Sequence, residues 1–256
     1  MQVPRIVGVL GAAGQMGSGI AEVLGQRSGC TVLRYDPVKE PEKDINVLRG
    51  AEFLIEAVPE VFETKVAVYK ALEEARVWTE HVVLASNTSS LSITRLAATS
   101  KFPENFIGMH FFYPVQRMNI VEIVCGLRTS EKTVEVTESL ARKMGKECAR
   151  CVSDSPGFVS NRILMPYINE AIETLREGTA DAKDIDRIMK LGTNVPMGPL
   201  ALADFIGLDT CLNILRVLEQ GLPGGSVKYR ASPLLVKYVD AGWLGRKTKR
   251  GFYTYD

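Results

Sequence analysis

"RIVGVLGAAGQMGSGIAEVL", residues 5–24, decides the fold. Its first six residues, apolar after Arg5, read as a buried strand, and glycines follow at once. Met16, Ile20, Val23 and Leu24 then fall at i, i+4, i+7 and i+8, the stripe of an amphipathic helix. A buried strand entering a helix through a glycine-rich turn predicts a dinucleotide site, because the N–H groups and dipole at the helix start receive a pyrophosphate. The turn is G-x-x-G-x-x-G, formed by Gly11, Gly14 and Gly17 with Gln15 and Met16 between them; Ala12 stands where the usual G-x-G-x-x-G has its first glycine. Asp36 ends the second predicted strand, "TVLRYD" (31–36), nineteen residues past Gly17. There a carboxylate can take both ribose hydroxyls and repel a 2′-phosphate, so NAD is favoured over NADP, with Arg34 and Lys39 as nearby counter-signals.

The alternation continues. "FLIEAV" (53–58), "VVLAS" (82–86), "FIGMH" (106–110) and "NIVEIV" (119–124) are further strand-like runs, and Phe62, Val66 and Tyr69 mark a helix between the first two. Strands separated by helices imply a mostly parallel sheet with right-handed crossovers, covered on both faces. The expected first domain, residues 1–152, is therefore an α/β, Rossmann-type NAD-binding unit.

Near residue 153 the pattern changes. "DSPGFVSNRILMPYINEAIETLREG" (154–178) has Ser155 and Pro156 as N-cap and first helical residue, and Gly178 as a stop, which predicts one long helix. Helical patterns follow over 181–191, over 199–219 with an interruption at Gly207, and over 233–239; strand-like alternation returns only in "GFYTY" (251–255). Residues 153–256 are expected to form an all-α domain.

The chain has 256 residues, 46% of them hydrophobic and 24% charged, and a net charge of +1 with scattered Lys and Arg. That balance argues against nucleic-acid or membrane-surface partners and favours small, roughly neutral ones. No apolar run approaches the roughly 18 residues of a spanning helix, and no secretory leader is evident, so a cytoplasmic protein is expected. Five cysteines without a framework spacing fit reduced thiols. Cys148 and Cys151 form a C-x-x-C, but a strand there would send them to opposite faces, so neither a redox pair nor a metal site is expected.

His110 lies at the carboxyl end of a predicted strand, where ligands collect on an open α/β sheet. A histidine there can accept a hydroxyl proton near neutral pH, and Glu122 on the next strand can bond its far nitrogen and fix its tautomer. The alternative is a packed core histidine and an edge glutamate. A charge inside "NIVEIV" favours the pair, since a glutamate in a buried strand needs a partner. "ASNTSSLSI" (85–93) puts hydroxyl and amide groups at the same sheet edge, either for a ligand or to cap the next helix. Asn161 is either a site residue or a solvated helix residue.

Taken together, "ASNTSSL", "GMHFFYPV", "NIVEIV", "DSPGFVSNRILMPYINEA", "PMGPLALADFIGLD" and "GRKTKRGFYTY" resemble the L-3-hydroxyacyl-CoA dehydrogenase family, in the family's order and over nearly the whole chain. The resemblance implies NAD-dependent oxidation of a 3-hydroxyacyl thioester to the 3-keto form, as in fatty acid β-oxidation, by a homodimer. It makes His110 the catalytic base, Glu122 its acid partner, Ser89 a residue near both substrate and nicotinamide, and Asn161 a holder of the substrate oxygen. Glu60, Lys65 and Lys247 fall on cofactor-contacting positions. One departure stands out. Only sixteen residues separate Asp36 from Phe53, where the family carries a helical hairpin that helps hold CoA. A dehydrogenase of a non-CoA 3-hydroxy acid is thus one alternative, and a non-catalytic, crystallin-like NAD-binding protein another.

Overall fold

In the computed structural model of the chain, which describes residues 3–40 and 43–256, the opening stretch becomes β1 (Ile6–Leu10) and α1 (Gln15–Val23), with a π-helical turn at Leu24–Ser28. The other strands are β2 (Thr31–Tyr35), β3 (Phe53–Glu56), β4 (Val83–Ser86), β5 (Phe106–Phe111), β6 (Ile120–Val124) and β7 (Glu147–Cys151). They make one sheet in the order β2-β1-β3-β4-β5-β6-β7. All neighbours are parallel except β5 and β6, which form an antiparallel pair.

Strand periodicity divides the core. Val7, Val9, Phe53 and Ile55 face one layer, with Ile20 and Val23 of α1 and Leu24 of the turn that follows it. Leu10, Leu54, Leu84 and Phe106 face the other, where α2 (Phe62–Glu74) and the short α3 (Ile93–Ala97) lie. Tyr69, Trp78 and Phe106 pack there at centroid separations of 5.3–6.0 Å, edge-on or tilted, as aromatic quadrupoles favour. Coverage on both faces is why β3, β4 and β5 are buried along their whole length. Cys148 packs against the first layer and Cys151 belongs to the second, on opposite faces of β7.

One long helix lies outside those expected, as does the short one at Gly225–Lys228. α4 (Glu131–Lys143) begins at Ser130, whose hydroxyl accepts from Thr133 N, and Arg150 on β7 makes a bidentate pair with Glu131. Its segment "TVEVT" (133–137) alternates like a strand, which masks the helical stripe.

The chain divides into two compact units, Met1–Phe158 and Val159–Asp256. In the second, α5 spans Ser160–Arg176, so the helix expected from Ser155 begins later. Gly157 and Phe158 both take left-handed backbone angles, φ 72° and 51°, and such residues interrupt a right-handed helix. α6 (Ala182–Gly192) is capped by Asp181, α7 (Pro199–Ile206) and α8 (Leu208–Gly221) part at Gly207, and α9 (Gly225–Lys228) and α10 (Pro233–Asp240) follow. "GFYTY" forms isolated bridges rather than a strand.

Two buried aspartates hold that C-terminal segment. Asp204 accepts from Phe252 N, Tyr253 N and the Tyr255 hydroxyl. Asp186 accepts from Leu200 N, Ala201 N and the Tyr253 hydroxyl. Each acceptor serves several donors that are at least partly buried, so its loss leaves all of them without it. Asp204→Ala is expected to lower the stability of the second unit by about 3 kcal/mol, read by denaturant unfolding; a change below experimental error would show that water replaces the carboxylate there.

Candidate active site

The carboxyl ends of β1 to β5 meet along one sheet edge. The chain leaves β1 for β2 on one side and resumes at β3 on the other, which makes β1/β3 the switch point where α/β sheets open a crevice. The glycine turn lies there. Gly11 has φ 74°, and Gly14 N donates to Gly11 O. A Cβ on Gly17 would run into the Gly11 carbonyl, and one on Gly11 into the Ala57 carbonyl. Gly14 precedes α1 without a side-chain cap, so the N–H groups of the first helical turn remain for a ligand. The cradle fits a dinucleotide pyrophosphate. Gly17→Ala is expected to cost about 1–3 kcal/mol and to weaken NADH binding, read by thermal unfolding and fluorescence titration; unchanged NADH affinity would contradict this reading of the turn.

Asp36 is buried just past β2. One oxygen accepts from Ala13 N at 3.0 Å, the other from Val38 N at 3.0 Å and Lys39 N at 2.9 Å. It therefore ties the glycine turn to the following link, an engagement its spacing alone does not disclose. Lys39 Nζ donates to Ala13 O at 2.8 Å. In the described part of the link, Asp44 caps a 3-10 turn at Ile45–Leu48, and Leu48 is buried in the second core layer.

Between β3 and β4 lies a charged cluster. Glu60 Oε1 accepts from the Thr88, Ser89 and Ser90 hydroxyls and from Ser89 N and Ser90 N, at 2.7–3.1 Å. The 88–90 turn is wrapped around one carboxylate oxygen. Burial pushes the Glu60 carboxyl up, but the Lys65 ammonium and the donors from Thr88 and Ser89 outweigh it and hold it below the usual range. Lys65 is 1% exposed and lies on Glu56 at 2.7 Å. Asn87 Oδ1 accepts from Phe111 N, which pins the turn to β5.

His110 and Glu122 face each other across the β5–β6 pair. Their side chains meet at 2.7 Å, Nδ1 to Oε2, with both residues buried. An ionised carboxylate only accepts, so Nδ1 carries the proton and Nε2 is the nitrogen left to act as a base. Phe112 lies 5.0 Å and Phe158 5.8 Å from the imidazole, ring centre to ring centre. Cys151 Sγ is 4.0 Å from Glu122 Oε1. The hairpin between the pair is fastened below: Lys146, buried, donates to Val115 O and Met118 O at 2.5 and 2.7 Å. The second histidine, His81, is exposed.

So the first unit brings together the glycine turn with Asp36, Glu60 with Ser89, and His110 with Glu122. The remaining two candidates belong to the second unit: Asn161 is buried in the first turn of α5, and Lys247 bonds Asp209 at 2.5 Å. Glu56, Lys146 and Cys151 were not among the sequence candidates. Glu56 had a signal of the same kind as Glu122, an acid within an apolar run.

The chain matches two family models: "3-hydroxyacyl-CoA dehydrogenase, NAD binding domain" over residues 38–155, and "3-hydroxyacyl-CoA dehydrogenase, C-terminal domain" over 157–255. It is 44% identical to the 3-hydroxybutyryl-CoA dehydrogenase of Bradyrhizobium diazoefficiens over 287 aligned positions, covering 99% of this chain and 96% of that one. It is similar to two crystal structures. One is Mycobacterium tuberculosis FadB2 (TM-score 0.91, 38% identity, all of both chains). The other is (S)-3-hydroxybutyryl-CoA dehydrogenase PaaH1 from Ralstonia eutropha (TM-score 0.88, 40% identity, 99% of both chains). The 287 aligned positions against 256 residues mean that the Bradyrhizobium relative carries segments this chain lacks.

Proposed function

The chain belongs to the 3-hydroxyacyl-CoA dehydrogenase family, and from that premise we propose that it catalyses the reversible, NAD-dependent oxidation of an L-3-hydroxyacyl-CoA to the 3-ketoacyl-CoA. The observation that carries the proposal is the buried His110–Glu122 pair at 2.7 Å, at the same sheet edge as the glycine turn. It is an oxidoreductase acting on a CH–OH group, with NAD as its cofactor. The turn of Gly11, Gly14 and Gly17 would hold the pyrophosphate, with Asp36 and Glu60 beside it. NAD, when bound, supplies the hydride acceptor.

The protein's own part is proton transfer and positioning. His110 Nε2 takes the proton of the C3 hydroxyl, and the resulting imidazolium faces the Glu122 carboxylate through Nδ1–H. In reverse, Nε2 returns the proton to the C3 oxygen. Ser89 and Asn161 are assigned to the substrate oxygen, where oriented donors favour the charge that develops during transfer. Lys247 is assigned to the cofactor. Among the described residues no helix is long and apolar enough to cross a membrane, and a cytoplasmic location is proposed. A homodimer is proposed, formed through the second unit, which exposes Ile163, Ile188 and Leu191; sedimentation of the purified chain tests it.

The link of sixteen residues after Asp36 favours one second reading, a non-CoA 3-hydroxy acid as substrate. A coupled NADH assay separates the two. Consumption of NADH with acetoacetyl-CoA, inhibited by free CoA, is the expected outcome. Turnover of free 3-keto acids alone, indifferent to CoA, would overturn it in favour of the second reading.

A further inference from the structure

Glu56 ends β3 inside the first unit, fully buried. Oε1 accepts from Val58 N at 2.8 Å and Lys65 Nζ at 2.7 Å; Oε2 accepts from the Tyr69 hydroxyl at 2.6 Å and the Ser86 hydroxyl at 2.7 Å. Four donors on two oxygens are the environment of an ionised carboxylate. The Lys65 ammonium has a second anion, Glu60 Oε2, at 3.5 Å. Glu60 is the residue around which the Ser89 turn folds. A continuous chain of contacts therefore runs from Glu56 through Lys65 and Glu60 to Ser89.

We propose that Glu56 is a positioning residue: its carboxylate holds the Lys65 ammonium in place against Glu60, and through Glu60 it sets the Ser89 turn at the cofactor edge. A buried ion pair contributes little to stability over an apolar pair of the same volume. The geometry gives this one another task. Lys65, 1% exposed, has its charge aimed at a carboxylate that is 36% exposed. Lys65 thus acts through Glu60. The relevance to catalysis rests on the dehydrogenase reading of Glu60 and Ser89.

The ammonium lies on Glu56 from β3 at 2.7 Å, on Glu60 at 3.5 Å and on the Val58 carbonyl at 3.3 Å. In Glu56→Gln, NADH affinity is expected to fall about tenfold, the scale on which networked residues couple. In the coupled assay the loss is expected in KM for NADH with kcat little changed, because cofactor positioning rather than proton transfer is weakened. The double variant Glu56→Gln/Lys65→Met removes both members of the fully buried pair, and it should bind NADH as weakly.

NADH affinity is read by fluorescence titration, so the outcome stands apart from turnover. A wild type that binds NADH but reduces no acyl-CoA breaks the dehydrogenase reading and leaves this test readable. Wild-type NADH affinity in folded Glu56→Gln, or in the double variant, overturns the proposal.

Discussion

His110→Gln is expected to reduce turnover of acetoacetyl-CoA by about 10²–10⁴ while NADH still binds, because a positioned acid–base group contributes on that scale. Glutamine keeps a polar side chain of similar reach, but its amide neither takes nor returns a proton near neutral pH. The cofactor edge is built from other elements, the glycine turn, Asp36 and the Glu60 cluster, so NADH affinity should change little. The loss should appear in kcat and kcat/KM together, the signature of an interaction made in the transition state. A variant with near wild-type kcat would end the assignment of His110 as base.

Glu122→Gln is the second large effect, about 10²–10⁴ in kcat. The amide matches the carboxylate in shape and can still accept from Nδ1–H, but it brings no charge to face the imidazolium. Flipped, it donates to Nδ1 and drives the proton to Nε2, the tautomer unable to act as base. Cys151 Sγ, 4.0 Å from the other oxygen of Glu122, touches that same carboxylate. Unchanged kcat in folded Glu122→Gln would reduce the residue to a strand-pairing role.

Much of this was legible because two physical signals were local. The glycine turn announces itself through chain geometry that tolerates no Cβ, and Glu122 through the cost of an acid in an apolar strand. The second signal also applies to Glu56 in "FLIEAV", where its force is seen only once Lys65, nine residues on, and Ser86, on the next strand, are brought to the same carboxylate. Asp36 lies where its spacing puts it, but its contacts to Ala13, Val38 and Lys39 depend on a backbone path that side-chain patterns do not encode. Ser155 and Pro156 carry a valid helix-start pattern. It fails as a boundary because Gly157 and Phe158 turn left-handed, carrying the Phe158 ring edge-on to His110. Asp186 and Asp204 lie in amphipathic helices, and their partners in the C-terminal segment are nearly fifty residues away or more.

The most direct test follows NADH oxidation with acetoacetyl-CoA in wild type and His110→Gln side by side, with NADH binding measured in both. The expected result is consumption of one NADH per acetoacetyl-CoA by the wild type and near-silence in the variant, with equal NADH affinity. A wild type that binds NADH yet leaves acetoacetyl-CoA untouched, or a His110→Gln protein that turns it over at the wild-type rate, would contradict it.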